Sequence, residues 1–287
     1  MNAYPSFGPG AEAHSLTTDY GVTMRVVIEG QGPDIVFIPG GDTPAEGYTQ
    51  LFKYLSNSFR CIAYDPRGAG ETFAPPPPWT MSDYARDCAA VIDAFCESQA
   101  VVCGLSLGGL VTQATAIEFP DKVRMAIPMG TAAYIDGFTR DWMQAEIDIR
   151  KAGITLPDYF LAPHYAVYAF PAAALGDHDL WEEIKTAYTA RFSGRDPQDT
   201  IDQWEACLEF DCRDALKTCS VPFHVIAFSQ DIQTPPAMCK VVSDLAMQGH
   251  FYEIEGLGHV SMSRHKPDVV AKQILSILET EQASAHS

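Results

Sequence analysis

An apolar run, Ala100-Val101-Val102-Cys103, leads into Gly104-Leu105-Ser106-Leu107-Gly108-Gly109 and then into the helix-like segment LGGLVTQATAIE. No other stretch restricts the fold as tightly. Four apolar residues with β-branched character read as a short buried strand. The segment after them reads as a helix that stops at Phe119-Pro120, where proline cannot continue the ladder. Between them stands G-x-S-x-G. A sharp strand-to-helix turn exposes the serine hydroxyl and aims the following N–H groups at a reacting carbon. The flanking glycines suit a place where backbone and helix crowd together and leave no room for a Cβ. Three fixed Gly, Ser and Gly positions arise by chance in roughly one chain in ten. The strand before and the helix after them give the pattern its weight.

The surrounding elements repeat this alternation. His14–Thr18 and Val22–Glu29 read as strands, followed by the apolar strands Asp34–Ile38 and Phe59–Tyr64. A short helix is expected over Tyr48–Leu55 and an amphipathic one over Met81–Ser98. Val123–Met129 is another apolar strand. Strands alternating with helices, buried on both faces, mean an α/β fold with a mostly parallel central sheet flanked by helices. Residues 1–13, rich in Gly, Pro and Ala, read as a loose arm, and Pro75–Pro78 as a stiff loop.

From Tyr134 to Asp214 the rhythm breaks. This stretch is helical in pattern and holds aromatics including Trp142, Tyr165, Tyr168, Trp181, Tyr188 and Trp204. It carries sixteen acidic and seven basic residues, half of the chain's net charge of -18. The expected organisation is an α/β core from 1–133 and 215–287, with a helical cap at 134–214 over the sheet. Alternation resumes with the strand Val221–Ala227, a helix over Pro235–Met247, the strand Phe251–Ile254 and a last helix over Pro267–Leu278. Order is expected to end near Thr280.

A nucleophilic serine needs a base, and a histidine base needs an orienting carboxylate. Among eight histidines, His259 follows the last strand in Glu255-Gly256-Leu257-Gly258-His259, where the glycines let the loop reach back over the sheet edge. His265 is its best rival. His224 lies inside a strand and His250 precedes one, and both read as structural; His164 and His178 fall in the cap, and His14 and His286 lie near the ends. Asp231, in the loop leaving the strand Val221–Ala227, is the matching acid; Asp211 and Asp214 precede that strand and are less well placed. The second reading for Asp231 is a turn residue or a helix cap near Thr234. The two oxyanion donors are expected from the N–H groups of Leu107, after the nucleophile, and Gly41, in Pro39-Gly40-Gly41 after the strand ending at Ile38.

Charge and cysteines narrow the class. With 37 acidic and 19 basic residues, the chain lacks the clustered cations that a nucleic acid or an anionic membrane surface requires. Eight cysteines contain no C-x-x-C pair and several sit in apolar runs, so free buried thiols in a reducing compartment are expected. The N-terminal residues show no basic segment followed by an apolar core, and no apolar run approaches the ~20 residues of a membrane span. A cytoplasmic protein acting on a small molecule is the expectation. The acidic cap neither requires nor excludes a homodimer.

Taken in order, PGG, DPRGAG, CGLSLGG, FSQDIQTPP and GLGHVS resemble the α/β-hydrolase superfamily over most of 14–133 and 219–279. DPRGAGET and GLSLGGLVTQATAIEFPDKV are most similar to its enol-lactonase and cofactor-free bromoperoxidase-like branch. The resemblance implies Ser106 as nucleophile, Asp231 as acid and His259 as base, the same residues reached above. It also marks a departure: the family usually has His-Gly where this chain has Pro39-Gly40, and Asp42 places a carboxylate beside the expected oxyanion donors.

The expected chemistry is acyl transfer from a carboxylic ester or lactone to water through an acyl-enzyme, with no metal or organic cofactor. Carbon–carbon cleavage of a β-diketone-like compound on the same triad is the alternative, and a non-catalytic ligand-binding member of the fold is a third reading. An aromatic-rich cap suits a small, partly apolar substrate, although the same rings could form the cap's own core. Arg140, Arg150, Arg191 and Arg195 are candidates for holding a substrate carboxylate, with solvated helix faces as their alternative.

Overall fold

A computed structural model describes the backbone at residues 4–192 and 196–285. The strands are β1 (Glu12–Thr17), β2 (Thr23–Glu29), β3 (Asp34–Ile38), β4 (Arg60–Tyr64), β5 (Ala100–Leu105), β6 (Val123–Met129), β7 (Phe223–Phe228) and β8 (Gly249–Ile254). They form one eight-stranded sheet in the order β1-β2-β4-β3-β5-β6-β7-β8. The β1–β2 and β2–β4 pairings are antiparallel and every later pairing is parallel. The parallel strands are buried on both faces, and their side chains sort by the two-residue period of a strand. Val36, Ile38 and Val102 fall in one apolar cluster, Ile35, Phe37, Val101 and Cys103 in the other.

Helices cover both faces. On the second face lie α1 (Thr49–Leu55), which supplies Leu51, Phe52 and Leu55, and the last helix; on the first lie α2 (Met81–Phe95) and α3 (Leu107–Glu118). Helix α2 starts with a full capping box, in which Thr80 and Asp83 exchange hydrogen bonds. After β6 come α4 (Gly137–Lys151), α5 (Asp158–Ala169), α6 (Ala172–Gly176), α7 (His178–Phe192), α8 (Pro197–Leu208) and the four-residue α9 (Arg213–Leu216). Helix α10 (Pro236–Leu245) and helix α11 (Pro267–Ala285) complete the chain. Helix α11 passes Thr280, where order was expected to end.

The inserted helices pack in two ways. Met143 and Ile147 of α4 and Ile201, Trp204 and Leu208 of α8 join the main core cluster on the α2–α3 face of the sheet. In contrast, Ala162, Ala166 and Ala169 of α5, Ala174 of α6 and Ile184 and Tyr188 of α7 form a small cluster of their own. The N-terminal arm is also packed rather than loose: Phe7 meets Phe52 with ring centroids 5.3 Å apart, and the Gly8 N–H donates to Glu29. All eight cysteines are free thiols, seven of them buried. Among the described residues no helix is long and apolar enough to cross a membrane.

Candidate active site

Ser106 sits at the junction of β5 and α3 with φ 59° and ψ −119°, a left-handed conformation that L-residues adopt only under constraint. The constraint is visible. The Ser106 N–H donates to the Met129 carbonyl at 3.0 Å, and its own carbonyl accepts from Gly109 and Leu110 N–H and from the Thr131 hydroxyl. A Cβ on Gly104 would stand 2.0 Å from the Gly108 carbonyl oxygen, and one on Gly108 would stand 2.0 Å from the Ile38 oxygen. The turn therefore exists only because both positions are glycine, and the hydroxyl is left at the surface of a cavity.

Asp231 and His259 meet as the strand order requires. Both lie on loops leaving the C-terminal ends of β7 and β8, the edge where β5 delivers Ser106. His259 Nδ1 lies 2.6 Å from Asp231 Oδ2, with both side chains buried. The carboxylate also accepts from the Gln233 and Thr234 N–H groups at 2.9 and 3.0 Å and from the Thr234 hydroxyl at 2.9 Å. The Thr234 oxygen lies 3.2 Å from His259 Nδ1, so it braces both partners. Sequence reasoning treated Thr234 only as the neighbourhood of a helix cap. Gly130, at φ 46°, leaves room for this pair: a Cβ there would stand 3.2 Å from Asp231 and 3.3 Å from His259.

Ser106 and His259 line the same cavity, with no hydrogen bond between them among the described residues. Gly41 and Leu107 line it too, and neither N–H donates to a described residue. The cavity is thus lined by Ser106, by His259 braced by a buried carboxylate, and by Gly41 and Leu107.

The loop bearing Gly41 is held from the inserted helices. Gln203 of α8 accepts the Asp42 N–H at 2.8 Å, and Thr200 donates to both Asp42 carboxylate oxygens at 3.0 Å. The Asp42 charge is therefore engaged by α8. From α7, Arg191 donates to the Gly41 carbonyl at 2.9 Å. Beneath, the DPRGAG loop is locked: Asp65 accepts from the Ala45 and Glu71 N–H groups, and Arg67 pairs with Asp87 at 2.6 Å with both side chains buried.

The remaining candidates separate clearly. His265 is half-buried beside Ser261 and does not reach the cavity. His164 faces Glu146 at 3.0 Å, and His178 is exposed. His224 is buried in β7, and burial, helped by neighbouring His250, pushes its imidazole down to about 4. Arg150 is taken up by Glu146 and Tyr165, and Arg140 by the Ile135 and Leu208 carbonyls. Only Arg191 of the described candidates reaches the cavity, joined there by Arg264, which sequence reasoning did not single out. Arg195 and His286 lie outside the described residues. Of the aromatics, Trp142, Tyr165, Tyr188 and Trp204 line the cavity, whereas Tyr159 is 83% exposed and Phe170 is packed among α5, α6 and α7.

A parallel-rich sheet of this order, with a serine at its central strand-to-helix turn and an acid–histidine pair on the last two strand loops, defines an α/β hydrolase architecture. The chain belongs to the alpha/beta hydrolase family, whose model matches residues 35–273. It is similar to a protein of Mycobacterium tuberculosis named as a non-heme bromoperoxidase, BpoC, at 26% identity, covering 88% of this chain and 97% of that one. It is 29% identical to 3-oxoadipate enol-lactonase 2 of Acinetobacter baylyi, covering 71% of this chain and 74% of the relative. The solved enol-lactonase from Burkholderia xenovorans LB400 superposes with a TM-score of 0.80 at 22% identity, covering 90% of this chain and 97% of that one.

Proposed function

We propose that the protein hydrolyses a carboxylic ester or lactone of a small, partly apolar molecule, with Ser106, His259 and Asp231 as catalytic triad. The observation that carries this reading is the buried 2.6 Å contact of His259 Nδ1 with Asp231, on a histidine that lines the same cavity as Ser106. Asp231 fixes the imidazole orientation and stabilises its cation. His259 takes the proton of Ser106 as its oxygen attacks the carbonyl carbon, and then returns that proton to the leaving alkoxide. The Gly41 and Leu107 N–H groups receive the developing oxyanion. Water, activated by the same imidazole, attacks the acyl-enzyme and releases the acid. The relatives named as enol-lactonase and as pimeloyl-[acyl-carrier protein] methyl ester esterase support an ester-type bond as the target. Aromatic rings from α4, α5, α7 and α8 around the cavity favour an apolar acyl or ring portion. The inserted helices would act as a cap over the substrate.

The test is intact-mass analysis after incubation with a fluorophosphonate. A single adduct on wild type, absent in Ser106→Ala and slowed in His259→Ala, is expected. Folded wild-type protein that forms no adduct would overturn the reading.

A further inference from the structure

At the opposite end of the sheet from Ser106, three side chains converge for reasons of register and helical period. His224 and His250 are paired Cα partners on the parallel strands β7 and β8, so they project from the same face. Their rings stack with centroids 4.7 Å apart. Helix α11 lies on that face through Ile274, Ile277 and Leu278, which pack with Ile226, Phe228 and Ile254. Glu281 follows Ile277 by four residues and Leu278 by three, so the helix carries its carboxylate over the two imidazoles. One ligand atom from each of His224, His250 and Glu281 lies within 4.8 Å of the others.

The buried member of this cluster has an unmet need. His224 is 2% exposed, and among the described residues its Nε2 has no hydrogen-bond partner. A Glu281 carboxylate oxygen lies 3.4 Å from it, at ion-pair rather than close hydrogen-bond distance. A buried polar atom without a partner costs about 1–3 kcal/mol, so such atoms are rare unless something completes them. The other ring nitrogen is already committed, with Nδ1 3.1 Å from the Tyr252 hydroxyl. This is the arrangement found at metal-binding histidines: one nitrogen held by an oxygen, the other directed at the ion.

We infer that His224, His250 and Glu281 form a binding site for a zinc-class divalent transition ion, with His224 Nε2 as its buried anchor. Two imidazoles and one carboxylate are a borderline donor set that selects zinc and its neighbours over magnesium and calcium, which take oxygen shells. His250 is exposed and Glu281 half-buried, so both side chains have room to close on the ion and water can fill a fourth position. The site joins an edge strand to the final helix, and its role is to fasten them. It lies at the N-terminal ends of the strands, whereas Ser106, Asp231 and His259 lie at the C-terminal ends.

The experiment uses the full chain after chelator treatment and dialysis. Zinc binding is measured by competition with a chromogenic zinc indicator, and thermal unfolding is followed with and without zinc. One zinc per chain is expected, with a rise in Tm of about 5 °C at saturation. Magnesium and calcium should leave Tm unchanged. His250→Ala and Glu281→Gln change accessible side chains and spare the buried anchor, and each should weaken zinc binding by about tenfold or more. Absence of saturable binding to wild type at about 100 μM zinc, or binding undiminished in both variants, would overturn the proposal.

Discussion

Gln203 and Asp42 lie 161 positions apart, yet the Gln203 side-chain oxygen accepts the Asp42 N–H at 2.8 Å. The same amide donates through its nitrogen to the Arg67 carbonyl at 2.5 Å. One fully buried side chain of α8 therefore ties the loop after β3 to the loop after β4. Asp42 itself is held at φ 59°, so this loop keeps its shape only while its partners stay in place. Gln203→Ala should lower kcat by about 10- to 100-fold with KM nearly unchanged, because displacing the proposed oxyanion donor Gly41 by about 1 Å would cost that much. Steady-state kinetics on a chromogenic ester check this, with a thermal melt to show that the variant is folded. A loss confined to KM would assign Gln203 to substrate binding instead.

Removing the proposed nucleophile or base gives the largest effect. Ser106→Ala and His259→Ala should each reduce kcat by about 10⁴-fold or more, and Asp231→Asn by about 10³- to 10⁴-fold. The double variant Ser106→Ala/His259→Ala should be no worse than either single one, since residues acting as a unit are not additive. Single-turnover ester hydrolysis measures all four proteins.

Thr234 offers a finer test. Thr234→Val keeps the shape and deletes the hydroxyl that bonds Asp231 and lies 3.2 Å from His259. One hydrogen bond to a charged group is worth about 1.5–3 kcal/mol, which sets a ceiling of roughly 10- to 100-fold on the fall in kcat. The fluorophosphonate labelling rate should fall in parallel, since under the proposed mechanism both report activation of Ser106. Labelling at the wild-type rate would show that the Thr234 hydroxyl does not position the pair.

Glycines at the turn and elsewhere should respond differently. Gly104→Ala or Gly108→Ala forces a methyl group to within 2.0 Å of a backbone oxygen and should cost more than about 3 kcal/mol, measured by urea denaturation or seen as insoluble protein. Gly153 also has positive φ, at 68°, but a Cβ there meets none of the described residues within 4 Å. Gly153→Ala should cost only about 1–2 kcal/mol of backbone strain.

Glu146 predicts a pH dependence. Burial would raise its carboxyl, but hydrogen bonds from Arg150, Tyr165 and His164 outweigh that and hold it below the usual carboxylate range. A group whose folded value is depressed stabilises the native state above its unfolded value and loses that contribution as pH falls through the folded one. The stability gap between wild type and Glu146→Gln should be full above about pH 5 and narrow as pH falls below about 4.5. Urea denaturation of both proteins at pH 6.5 and 3.5 measures it, and a gap independent of pH would contradict it.

How much of this was legible in the sequence differs from residue to residue. The turn at Ser106 is local, and its glycines answer to clashes within a few residues, so the pattern shows in one stretch of chain. Asp231 and His259 are distant in sequence, but each follows a strand of fixed order, which leaves few loops to choose from. The partners of Gln203, Thr200 and Arg150 depend on how helices are laid against the sheet, and no periodicity encodes that. Arg140 and Arg150 read as candidate ligands because their positive charge was visible and their acceptors were not. Edges blurred for a related reason: β8 begins at Gly249 rather than Phe251 because an edge strand needs no apolar residue at its exposed start. Helix α9 has four residues and shows no period at all.

The buried free thiols have a practical consequence. Burial raises the Cys88 and Cys239 thiols to about 12, and Cys103 is raised as well, so none of the three forms an appreciable thiolate at neutral pH. An alkylating reagent can reach them only when the structure opens. Cys103 lies in the central strand, whereas Cys239 Sγ accepts from the Thr131 N–H and donates to the Thr131 carbonyl, close to the loop of Asp231. The chain thus carries its own set of clocks. Labelling at Cys239 ahead of Cys103 would time the fraying of the Asp231 loop apart from collapse of the whole sheet, without a dye, a tag or an engineered residue.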